Sequence, residues 1–96
     1  MVRRKLEPEE IKSALADLPG WQLLDGRLHK TFKFASFARA MGWMTSVAIV
    51  ADKMDHHPEW SNVYNRVTVD LMTHDLGNVV SSWDVELARQ MEGLTA

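Results

Sequence analysis

A chain of 96 residues that is 46% hydrophobic and 25% charged holds one small domain with one core. Its formal charge of −2 gives no electrostatic footing for a nucleic-acid or membrane-surface binder. The absence of cysteine excludes disulfides, zinc ribbons and thiol nucleophiles, and no apolar run reaches the roughly 18 residues of a membrane span.

The chain opens with a basic cluster, Arg3-Arg4-Lys5, expected to be a solvated tail, with residues 1–6 flexible. No apolar stretch follows it, so no signal peptide is read and a cytoplasmic location is the default expectation. Pro8 suits the first turn of a helix, and Glu9 and Glu10 complement its positive end. Ile11, Ala14, Leu15 and Leu18 recur at helical spacing until Pro19-Gly20 stops them.

Residues 21–24 and 27–34 then read as a hairpin around an Asp25-Gly26 turn. That register sets Leu23 opposite Leu28. It puts Trp21, Leu23, Leu28, Phe32 and Phe34 on one face, and His29, Thr31 and Lys33 on the other. His29 is thereby expected as an ordinary surface histidine. Ser36 can cap a long helix from Phe37 to about Met54. Two apolar stripes run along it. One is Phe37, Met41, Met44, Ala48 and Ala51; the other is Ala40, Trp43, Val47, Val50 and Met54. Together they exceed what one sheet contact needs, which suits a thick core or a surface shared with another subunit.

A second hairpin is expected from residues 60–64 and 67–73, with Asn65-Arg66 as a two-residue turn. Its apolar face would be Trp60, Tyr64, Val67, Val69 and Leu71. A last helix runs from about Trp83 to Glu92, capped by Ser81 or Ser82, with Asp84 and Glu86 in its first turn. Leu87, Ala88, Met91 and Leu94 form its inward stripe. The order helix, hairpin, helix, hairpin, helix predicts an α+β domain. Two β-hairpins make a four-stranded antiparallel sheet, with helices packed on one face.

Chemistry concentrates between Asp55 and Asp75, where three of the four histidines lie. In the expected register Tyr64 faces Val67. Stepping outward brings His57 opposite His74, with Cα atoms about 4.5–5.5 Å apart if pairing persists. His56 would point the other way. Three readings are open. The histidines can be polar loop residues. They can ligate a metal with Asp52, Asp55 or Asp75, although adjacent histidines seldom share one ion and neither His-x-His nor His-Glu-x-x-His spacing is present. Or they can serve metal-free acid–base catalysis, with the nearby aspartates orienting an imidazole. No nucleophile elbow or Gly-rich phosphate loop offers covalent or nucleotide chemistry. Trp60 reads as core before it reads as a ligand wall.

The motifs HHPEW (residues 56–60), NVYNRV (62–67) and THD (73–75) resemble the pterin-4a-carbinolamine dehydratases, also known as dimerisation cofactors of a homeodomain transcription factor. Gly20-Trp21, the spacing of Phe32, Phe34 and Phe37, Ala40, the run from Ala51 to Asp55, and Asp84 with Leu87-Ala88 extend the match over roughly residues 18 to 92. The resemblance implies a hydro-lyase. Its substrate would be 4a-hydroxytetrahydropterin, the carbinolamine left by aromatic amino acid hydroxylases, and its products quinonoid dihydropterin and water. It implies no metal and no cofactor, the pterin being the substrate. It implies His56, His57 and His74 as catalytic residues, with His56 and His74 for proton transfer and His57 for gripping the pterin. Ligand contacts would come from Asp55, His56, His57, Met72, Thr73, His74 and Asp75, and Asp52 matches a carboxylate beside the site. Homodimers or homotetramers, and coupling to a hydroxylase, are further implications. A binding or assembly module on the same fold, without the chemistry, is the alternative.

One departure from the family pattern falls after His74. The usual loop ends in a glycine pair; here it is Gly77-Asn78, and Asp84 comes one residue later. Asn tolerates left-handed backbone better than most residues, so the turn is expected to survive.

Overall fold

The computed structural model describes residues 3–95. Helix α2, Phe37–Met54, organises the rest, and it starts and stops for local reasons. The Ser36 hydroxyl accepts from the Arg39 N–H at 3.1 Å. At the other end Asp55 turns left-handed, with φ 52°, and the His56 N–H reaches back to the Ala51 carbonyl at 3.0 Å. The helix exit therefore delivers the chain directly into His56.

Helix α1, Pro8–Ala16, has Pro8 in its first turn, and the Glu7 N–H donates to the Glu10 carboxylate at 3.0 Å. Strands β1, Gln22–Leu24, and β2, Arg27–Lys33, form the first hairpin with Leu23 opposite Leu28, as expected. Strands β3, Glu59–Val63, and β4, Arg66–Leu71, form the second. The antiparallel sheet runs β1-β2-β4-β3, with β2 and β4 central. Helix α3, Ser82–Gly93, closes the domain. The helices cover one face, where Leu28, Phe32, Val67, Val69 and Leu71 join Ala40, Trp43, Val47, Leu87 and Met91 in the core. Trp43 sits at its centre. It lies 4.4 Å from Phe32 and 5.1 Å from Phe34 (ring centroids), and its Nε1 donates to the Met91 carbonyl at 3.0 Å. Truncating a buried aromatic of this kind costs about 3–5 kcal/mol.

The expected register of the second hairpin is wrong. The turn is Tyr64-Asn65, not Asn65-Arg66, so Val63 pairs with Arg66 and Trp60 with Val69. Two asparagines decide this. The Asn62 side chain donates to the carbonyls of Tyr64 and Arg66, and Asn65 is pinned to Phe34 through both its backbone and its side chain. Tyr64 then takes φ 53° and is 65% exposed, so it leaves the apolar face assigned to it. The slip is by two residues, which keeps every other side chain on its expected face. Trp60 stays with the core, 6.2 Å from Trp43.

Other corrections are smaller. Of the two α2 stripes, the one through Ala40, Trp43, Val47, Val50 and Met54 packs inward, whereas Phe37, Ala48 and the neighbouring Ile49 are exposed. Leu23, at the sheet edge, and Leu94 are exposed rather than buried. His29 lies on the outer face as expected but is half-buried, with Nδ1 2.8 Å from Asp70 Oδ1. The lead-in before α1 is not a free tail from Arg3 onward. Lys5 bridges to Ser81, the Leu6 N–H donates to Val80, and Leu6 is in the core. Met1 and Val2 lie outside the described residues.

Candidate active site

The α2 exit and the β4 exit meet at one end of the sheet. There Asp55, His56, His57, Met72, Thr73, His74 and Asp75 line a cleft of about 390 Å³, joined by Arg3, Pro58 and Glu59. Every residue expected to contact a ligand is present in that lining, and Asp52 stands beside it. The facing pair of His57 and His74 is not. Continuing the observed register two steps outward from the Glu59–Asp70 pair sets His57 across from Met72. The three imidazoles meet because two loops converge, not because a ladder aligns them.

Their surroundings differ sharply. His56 is 6% exposed, and its Nε2 lies 2.6 Å from Oδ1 of the fully buried Asp84. A carboxylate only accepts, so Nε2 carries the hydrogen and Nδ1 is the remaining nitrogen. Oδ2 of Asp84 accepts from the Thr73 hydroxyl and from the Ser81 N–H, each at 2.8 Å. With its hydrogen given to Asp84, Thr73 accepts from the Ser81 hydroxyl at 2.5 Å. Ser81 in turn accepts from the Trp83 N–H at 3.2 Å, which starts α3. Asp84 is thus both the capping-box residue of α3 and the carboxylate that orients His56. Both carboxylate oxygens of Asp84 are thereby occupied.

His57 and His74 are open, with side chains 60% and 63% exposed. His57 Nε2 lies 3.3 Å from Asp52 Oδ1, but Asp52 is itself 85% exposed, so the pair is a loose one in water. His74 begins a single 3-10 turn, His74–Leu76, and its Nδ1 lies 2.8 Å from Asn78 Oδ1. With Nδ1 donating there, Nε2 is left to the cleft, 3.7 Å from Glu59 Oε2. The altered loop survives as expected. Gly77 and Asn78 both take left-handed backbone, with φ 91° and 60°, and the Asn78 N–H closes onto the Thr73 carbonyl at 3.0 Å. Asn78 does more than tolerate the turn, because its side chain holds His74.

Sequence reasoning missed three members of the site. Asp84 was legible as a helix cap, in the spacing Ser81-x-x-Asp84, but not as the partner of His56. Glu59 was quoted only within the HHPEW motif, just before the expected strand, and given no role. Arg3 was read as tail. Among the described residues no group of three or more His, Asp or Glu side chains gathers to hold a metal ion. The arrangement offers imidazoles with one nitrogen held by the protein and the other left over, the equipment of proton transfer.

Comparison with known proteins follows the same line. Residues 4–94 match the family model described as Pterin 4 alpha carbinolamine dehydratase. A relative from Jannaschia sp. (strain CCS1) is 55% identical over 94 residues, covering 94% of this chain and 95% of its own. One from Bradyrhizobium sp. (strain ORS 278) is 53% identical over 98 residues, covering 100% and 96%. Both are named provisionally as pterin-4-alpha-carbinolamine dehydratases. A crystal structure of a transcriptional coactivator/pterin dehydratase from Brucella melitensis superposes with a TM-score of 0.91. It shares 44% identity and covers 97% of this chain and 100% of that one.

Proposed function

The chain belongs to the pterin 4 alpha carbinolamine dehydratase family, and from that premise we propose that it dehydrates 4a-hydroxytetrahydropterins, including the biopterin form, by histidine acid–base catalysis without a metal. The observation that carries the reading is the convergence of His56, His57 and His74 on one cleft of a size suited to a small bicyclic ligand.

The reaction needs a proton at the C4a hydroxyl as its C–O bond breaks and water leaves, and a base for the proton lost from a ring nitrogen. His56 and His74 are assigned to these two transfers, and the exposed His57 to holding the pterin. The support is positional. Asp84 takes one nitrogen of His56 and Asn78 one of His74, so each ring is oriented with a single nitrogen to spare. The product is quinonoid dihydropterin, which a reductase must consume, and the substrate must come from a pterin-dependent hydroxylase. Action in the cytoplasm is part of the same reading. The exposed apolar side chains of α2, Phe37 and Ile49, support self-association as a dimer or tetramer.

A stopped-flow assay with 4a-hydroxytetrahydropterin tests the activity. Turnover above spontaneous dehydration is expected, abolished in the His56→Ala, His74→Ala double variant. No acceleration by the wild-type chain would overturn the enzymatic reading. It would favour the alternative, a coactivator-type or assembly module, which the double description of the Brucella melitensis structure keeps in view.

A further inference from the structure

Arg3 is the one cleft-lining residue that comes from the start of the chain. Its Nη1 donates to Asp75 Oδ2 at 2.8 Å and its Nη2 to the Asp55 carbonyl at 2.9 Å. The guanidinium carbon lies 4.8 Å from the centre of the Trp83 ring. Asp55 immediately precedes His56 and His57, and Asp75 immediately follows His74. Trp83 immediately precedes Asp84, and its ring lies 6.3 Å from that of His56. One side chain therefore touches all three segments that carry the site.

Resting on the dehydratase reading, we propose that Arg3 is a positioning residue. Its guanidinium ties the loop of His56 and His57 to the turn of His74 and so sets the separation across which the two proton transfers occur.

Taken alone, the ion pair with Asp75, itself 67% exposed, would contribute little; what sets Arg3 apart is that the same guanidinium also holds the Asp55 carbonyl and lies over Trp83. The Arg3 side chain is only 25% exposed, against 58% for Arg4, whose guanidinium meets Glu10 away from the cleft. The backbone beside Arg3 is also fixed, since the Ser82 N–H donates to the Arg4 carbonyl at 3.0 Å and Lys5 bridges to Ser81. The geometry calls for arginine. A planar fork gives two N–H groups in different directions while its face stacks on an indole, and a lysine ammonium cannot do both. Thr73 ties the start of the His74 turn to Asp84 and so to His56; beyond Thr73 the turn is exposed, and Arg3 at Asp75 is its second tie. Small misplacements of reacting groups cost large factors in rate, on the order of 100-fold per ångström.

The test compares Arg3→Ala, Arg3→Lys and Arg4→Ala with the wild type. It uses kcat and KM for 4a-hydroxytetrahydropterin and the imidazole signals of His56 and His74 by NMR. Arg3→Ala should lower kcat about tenfold while KM changes less than about threefold, a loss of alignment rather than of uniform binding. Its His74 and His56 signals should move. Arg3→Lys should fail to restore kcat, and Arg4→Ala should match the wild type. Unchanged kcat in Arg3→Ala, a rise confined to KM, rescue by lysine, or an equal loss in Arg4→Ala would each overturn the proposal. Should the wild type itself show no acceleration, the dehydratase reading falls separately. Imidazole signals unmoved by Arg3→Ala would then still dismiss the tether.

Discussion

His56 and His74 share one cleft but live in opposite environments. His56 is buried, bonded to a carboxylate that is itself held by a hydroxyl and a backbone amide. His74 stands in water on a one-turn helix, steadied by one asparagine. The difference separates two ways of orienting an imidazole. A buried knot gives precision at the cost of coupling the ring to the stability of the whole domain. An exposed turn keeps the ring adaptable and nearly free of that coupling, so it can be altered without unfolding anything.

The contrast breaks most severely at Asp84. Asp84→Ala should strand His56, Thr73 and the Ser81 N–H at once and destabilise the domain by about 3–5 kcal/mol, measured by urea denaturation. A loss below about 1 kcal/mol would mean that the knot is not an energetic centre. His74→Ala should do the reverse. Turnover should fall about 100- to 10,000-fold, with stability within about 0.5 kcal/mol of wild type. Asn78→Gly sharpens the comparison further, because glycine suits the left-handed backbone at that position and removes only the bond to His74. The melting temperature should hold while kcat falls about fivefold, the worth of about 1 kcal/mol of hydrogen bond. An unaltered kcat would show that His74 needs no such partner.

The smallest effect concerns the lead-in segment and pH. The bond from Arg4, and then that from the Glu7 backbone N–H, hold the Glu10 carboxyl down to about 2. For a depressed carboxyl the stabilising contribution is fully present above the ordinary glutamate range and is lost as pH falls through the folded value. Hydrogen exchange of the Leu6 amide should therefore stay protected near neutrality and loosen only as pH drops from about 4 toward about 2. Glu10→Gln should abolish that acid-dependent step without changing the His56 surroundings.

How much of this was legible in the sequence follows from how local each determinant is. Helix α2 was readable to both ends because its cap, periodicity and stop are all written in consecutive residues. The first hairpin was readable because Asp25-Gly26 announces its turn. The second was misplaced by two residues because its turn is chosen by side chains reaching elsewhere, Asn65 to Phe34 just past the end of β2 above all. The histidines were found because their residue type is itself the signal. Asp84 and Arg3 were not found in their roles because His56 lies 28 residues from Asp84 and Asp75 lies 72 residues from Arg3, and nothing in their neighbourhood marks the meeting.

Asp84 also sets an order of events. The same carboxylate begins α3 and orients His56, so neither act is complete without the other. A chain whose last helix has not docked has His56 but not its alignment. During synthesis or refolding, competence should arrive at the final step and arrive abruptly, with no half-active intermediate on the way.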